Sequence, residues 1–120
     1  MRGEKLLTGK LPFKLIFASG KSWTSKEIVI RALPNETAAS RFGFVVSRRV
    51  GKAVVRNRVK RRLREIIRQT PVRQGWDVVL VARVPAAEAA FRDLNQSVRK
   101  LLVRAGLSAG ENENISPGSN

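Results

Sequence analysis

The sequence predicts a single-domain α/β fold, a two-layer sandwich in the order α-β-β(-β)-α-β-α with one mixed sheet. Three observations predict it. Ile28 to Leu33, Phe42 to Arg48 and Trp76 to Arg83 are short apolar runs of strand length, rich in β-branched residues. Two longer stretches, 53–69 and the one that follows Pro85, instead repeat apolar residues at helical spacing. The chain has 120 residues, 42% of them hydrophobic, which suits one domain with a core of its own. Strand, long helix and strand in the middle form a crossover unit, and the general rule for parallel strands is a right-handed connection.

Taken in order, Met1 to Gly9 lacks periodicity and reads as a loose N-terminus. Pro12 suits the first turn of a helix and Gly20 the position past its end, and Phe13, Ile16 and Phe17 share one face between them. Ile28 to Leu33 is a strand, with a further short strand near Ser22 to Thr24. Pro34 to Ser40 is a turn. In Phe42 to Arg48, Phe42, Phe44 and Val46 point one way and Gly43, Val45 and Ser47 the other. After Gly51 a helix runs from about Ala53 to Gln69, with Val55, Val59, Leu63, Ile66 and Ile67 as its buried stripe. Pro71 and Gly75 lead into Trp76 to Arg83, whose near-continuous apolar run is that of a strand covered on both faces. Pro85 opens a last helix with the stripe Phe91, Leu94, Val98, Leu101 and Leu102, stopped by Gly106. The folded domain is thus 10–107, and the small, polar residues 108–120 read as a disordered tail.

Charge points to a partner. The net charge is +15 and the pI about 11.8, the footprint of a nucleic-acid binder. Arg41 to Arg68 holds eleven basic residues against one acid, Glu65, and so carries +10 of that total. With no Cys and no His, disulfides, structural zinc, thiol catalysis and any triad using His are excluded. No secretory signal and no apolar run of transmembrane length is visible, so a cytoplasmic protein without a membrane partner is expected.

On 100° steps, Asn57, Arg61, Arg64 and Arg68 fall on one line opposite Val59, with Arg56 and Lys60 on one flank and Arg58 and Arg62 on the other. The line is about 16 Å long, enough to touch several consecutive phosphates. Arginine grips phosphate with a planar fork and stacks on bases, and Asn57 adds a donor and acceptors. A merely solvated face would mix signs to gain i,i+4 pairs. Here one Glu stands against seven Lys and Arg between Arg56 and Arg68. A membrane-surface helix fits less well, because the apolar stripe is needed for the core.

The segment Gly51 to Arg61 (GKAVVRNRVKR) resembles the RNR signature of the bacterial ribonuclease P protein subunit, and Phe42 to Gly51 resembles the strand and turn before it. Gly75 to Val79 with Ala82 and Arg83, and Phe13, Phe17 and Gly20, match the following strand and the first helix, so the resemblance spans about Leu11 to Leu107. It implies a left-handed βαβ crossover, against the general rule. The implied partners are a catalytic RNA and precursor tRNA, with no obligate protein partner. The implied reaction is hydrolysis that releases the 5′ leader, with magnesium held mainly by the RNA. By position, Lys52, Arg56, Asn57, Arg58, Lys60, Arg61 and Arg64, together with Arg48, Arg49 and Arg68, would bind the catalytic RNA. Phe13, Phe17 and Arg31 would line a cleft for the leader, Arg31 standing where the family often has an aromatic. The basic residues often found before the first helix are reduced to Lys5 and Lys10. Two Phe at i,i+4 also fit a core, and both readings stand for Phe13 and Phe17. Trp23 is a further stacking candidate, and Trp76 reads as core.

No catalytic residue is expected in the polypeptide itself. There is no histidine for proton transfer, and the nine acids are scattered, with Asp77 read as fixing a strand end. The alternative is a structural RNA-binding protein of the ribosomal kind. A sequence-specific DNA regulator fits less well, because no short helix and tight turn precede the basic helix.

Overall fold

The computed structural model describes residues 5–6, 10–37 and 39–109. Five strands and three helices follow one another along the chain: β1 (Lys5–Leu6), α1 (Lys10–Ser19), β2 (Lys21–Thr24), β3 (Ile28–Pro34), β4 (Arg41–Val45), α2 (Ala53–Arg68), β5 (Trp76–Ala82) and α3 (Phe91–Arg104). The strands form one mixed sheet in the order β1-β4-β5-β3-β2. β4 and β5 are parallel neighbours, Arg41 opposite Asp77 and Val45 opposite Val81, so α2 is the crossover between them. β3 runs antiparallel to β5 and to β2.

Alternation along the strands divides the core. Ile28, Ile30 and Ala32 of β3, Phe42 of β4, and Val78, Leu80 and Ala82 of β5 meet the stripes of α2 (Val59, Leu63, Ile66, Ile67) and α3 (Leu94, Val98, Leu101, Leu102). Each Val, Ile, Leu or Phe among them adds roughly 1.5–3 kcal/mol by leaving water. On the opposite face α1 lies across β3 and β5, with Ile16 and Val79 fully buried against Leu33, Val45 and Val81. Gly20 permits this approach. Its N–H donates to the Ile16 carbonyl (2.8 Å), and a Cβ there would stand 2.6 Å from that oxygen and 2.9 Å from the Ala32 oxygen.

The structure corrects several expected boundaries. β4 ends at Val45, because Arg48–Val50 turns into a single 3₁₀ turn that drives Val50 under α2. Pro85 opens not the last helix but a 3₁₀ turn, Val84–Ala87, which buries Ala86; α3 begins at Phe91. Pairing reaches into the stretch expected to be loose, since Lys5 and Leu6 lie parallel to Arg41 and Phe42. It also reaches the first residues assigned to the tail: Ser108 bridges Val72, and Ala109 N–H donates to the Pro71 carbonyl (3.1 Å). Residues 110–120 lie outside the described residues.

Candidate nucleic-acid interface

α2 starts from a turn shaped by Gly51, at φ +157°, where a Cβ would press to 3.0 Å from the Val55 side chain. Lys52 is the residue before the first turn, with no side-chain cap, and that turn contains no acid. No acid of its own first turn therefore offsets the positive end of the helix. Arg48, Arg49 and Lys52 are exposed beside it.

Along the helix the outward line is as its periodicity predicts: Asn57, Arg61, Arg64 and Arg68 are exposed, and Arg56, Arg58, Lys60 and Arg62 are half-buried on the flanks. Among the described residues, no hydrogen bond or ion pair engages the side chains of Arg48, Arg49, Lys52, Asn57, Lys60 or Arg61. Arg64 lies over the Phe44 ring at 5.8 Å. Others are already engaged. Arg56 donates from Nε to the Gly51 carbonyl (3.1 Å), and Arg68 pairs with Glu65. Arg58 and Arg62 turn toward the protein and donate to the Ala87 and Ala89 carbonyls.

Arg41, one of the eleven basic residues of the segment, is also engaged. It holds Asp77 through two bonds, Nε to Oδ1 at 2.8 Å and Nη2 to Oδ2 at 2.7 Å, and Asn35 adds a third at 2.8 Å. The hydrogen bonds that Arg41 donates to Asp77 raise the Arg41 pKa, and the nearby carboxylate charge adds to this against the cost of burial. Asp77 thus fixes the start of β5.

The other face separates the two phenylalanines. Phe13 is half-buried and packs with Ile16 and Val79, whereas Phe17 is 44% exposed. Arg31, on the same sheet face, donates from Nη2 to the Phe17 carbonyl (2.8 Å) with its guanidinium carbon 5.2 Å from the Phe17 ring centre. Trp23 packs with Trp76 on the sheet face that carries α2 and α3, away from Phe17 and Arg31. Its place follows from register: Trp23 opposes Ile30, while Ser22 opposes Arg31.

One basic residue escaped the sequence reading. A cleft of about 330 Å³ opens beyond the ends of β4 and β5, lined by Ser47, Arg49, Val50, Ala82, Arg83, Val84 and Pro85. Arg83 is held there by a bond from Nη1 to the Ser25 carbonyl (2.6 Å). Its signal in the sequence was only that it follows a strand whose parallel neighbour ends in a basic turn.

Among the described residues no three His, Cys, Asp or Glu side chains gather as a metal site, and no helix is long and apolar enough to cross a membrane. The residue pattern of the ribonuclease P family matches residues 1–106. The chain belongs to the bacterial ribonuclease P protein family. Relatives agree along its length. The ribonuclease P protein component of Dehalococcoides mccartyi is 40% identical over 116 residues, 97% of each chain. That of Caldanaerobacter subterraneus is 45% identical over 97 residues, 79% of this chain and 84% of its own. The solved ribonuclease P protein of Thermotoga maritima superposes with a TM-score of 0.77 at 33% identity, covering 84% of this chain and 97% of that one. The Staphylococcus aureus protein gives 0.78 at 26% identity, covering 86% and 96%. As a family member the chain is a protein subunit of ribonuclease P, and the ribosomal-type alternative is not favoured.

Proposed function

We propose that this ribonuclease P subunit docks on the catalytic RNA through Arg48, Arg49, Lys52 and the outward line of α2, and holds the 5′ leader of precursor tRNA between α1 and the sheet. The observation that carries the reading is the basic surface on α2 and the turn before it, Arg48, Arg49, Lys52, Lys60 and Arg61 with Asn57 among them, whose side chains have no partner among the described residues. Guanidinium and ammonium groups without protein acceptors match a polyanion, and Asn57 can bridge a base edge or a sugar hydroxyl. Arg56, Arg64 and Arg68 border the same surface, and each retains donors beyond its protein contact.

In the cleft, the exposed Phe17 ring offers a face to an unpaired base, and Arg31 beside it offers charge to a phosphate. Magnesium would be held mainly by the RNA and would supply Lewis-acid chemistry for hydrolysis of the phosphodiester bond. The polypeptide's part is electrostatic and positional: it lowers the repulsion between two RNA molecules and adds contacts to the leader. Such a complex works in the cytoplasm.

Leader length tests this. Holoenzyme affinity for precursor tRNA is expected to rise as the leader grows over the first several nucleotides, and to lose most of that rise in Phe17→Ala. Affinity independent of leader length in the wild-type holoenzyme would remove the cleft assignment.

A further inference from the structure

We propose that Arg58 and Arg62 are positioning residues: they tie α2 to the turn before α3 and so aim the outward line of α2, without touching phosphate themselves. The inference rests on α2 being the RNA-docking helix. Arg58 and Arg62 stand four residues apart, one above the other on a single flank. Arg58 Nη2 donates to the Ala87 carbonyl and Arg62 Nη1 to the Ala89 carbonyl, each at 3.2 Å.

Those carbonyls have no backbone partner among the described residues. Within the turn, the backbone bonds of Ala86, Glu88 and Ala89 end on the carbonyls of Arg83, Pro85 and Ala86. The carbonyls of Ala87 and Ala89 fall outside that ladder and are met by the two arginines. Arg58 has also given up water to do so, since its Nε is buried without a partner. Among the described residues, Arg58 is the α2 arginine whose Nε is enclosed in this way, and its Nη2 faces the Ala87 carbonyl.

The consequence is rotational. Ala86 is fully buried, and the segment after the turn reaches Ala90, the residue just before α3. Fastening α2 to this segment therefore fixes its rotation relative to both α3 and the sheet. Side chains reach ~5–6 Å from a helix axis, so a 20° rotation would move a guanidinium by about 2 Å. That is enough to break a two-bond grip on a phosphate.

The test is RNA affinity across a salt series, using the full chain and a bacterial ribonuclease P RNA, with circular dichroism to fix the folded fraction. For Arg61→Ala the fall of log K with log salt becomes shallower by roughly one contact. For Arg58→Ala the slope is unchanged, while the folded protein binds at least about threefold more weakly. Arg62→Gln removes the charge and, being two bonds shorter than Nη1 requires, leaves the Ala89 carbonyl without its donor; it too is expected to keep the slope and to bind more weakly. A slope shallower by one contact in Arg58→Ala or Arg62→Gln would make that residue a phosphate ligand and overturn the proposal. So would a less stable Arg58→Ala that binds with wild-type affinity. Should Arg58→Ala not fold, the slope of Arg62→Gln decides. An unchanged slope in Arg61→Ala would instead overturn the docking reading of α2, and the positioning role with it.

Discussion

Arg61 projects from the outward line of α2, exposed and without a protein partner among the described residues, so its replacement by Ala leaves the core intact. Its melting temperature should stay near that of the wild type while RNA affinity falls by roughly 1 kcal/mol or somewhat more at moderate salt, read by filter binding. Phe17 offers the matching test on the other face. Being 44% exposed, it can be cut to Ala with modest effect on stability, and precursor tRNA should lose affinity by roughly 1–3 kcal/mol while mature tRNA loses little. Phe13→Ala should instead destabilise the fold, because that ring packs on Ile16 and Val79. Equal loss for precursor and mature tRNA in Phe17→Ala would show that the ring does not meet the leader. At this scale the sequence was informative where a single helix decides the geometry: the 100° step alone aligned Asn57, Arg61, Arg64 and Arg68. It was silent where partners come from distant segments. Nothing local marks Arg41 as the holder of Asp77, or Arg58 as bound to a carbonyl twenty-nine residues later.

Elements were legible to the extent that they bury a periodic stripe. α2 and α3 each present four buried apolar residues at helical spacing, and both were placed from that pattern. Where a turn interrupts a run, pattern was not enough. Val46 continues the alternation of β4, yet the strand has already ended, because the following 3₁₀ turn must carry Val50 into the core. Pro85 is as suited to a 3₁₀ turn as to a helix start, and the buried Ala86 decides between them. The tight seat of α1 on β3 yields a prediction at this scale. Gly20→Ala would place a methyl group 2.6 Å and 2.9 Å from two backbone oxygens, so α1 must lift from the sheet. The expected cost is about 1–3 kcal/mol of unfolding free energy, read by urea denaturation, with a weaker leader effect because Phe17 moves with α1. Wild-type stability in this variant would show that α1 sits less tightly than described.

For the molecule as a whole, the charge of +15 is distributed with a purpose that the fold makes visible. One sheet carries helices α2 and α3 on one face and α1 on the other, so the basic helix and Phe17 stand on opposite faces of one packed sheet. Family membership, read from the ordered signature between Phe42 and Arg64, makes the chain a ribonuclease P subunit, where composition alone would have fitted any small RNA-binding protein. The most direct measurement is reconstitution: purified protein, a bacterial ribonuclease P RNA and a 5′-labelled precursor tRNA at low magnesium. Cleavage at the mature 5′ end should require both components, with the protein alone inactive. Cleavage by the protein alone, or no stimulation of the RNA despite tight binding, would contradict the assignment of a docking and leader-holding subunit.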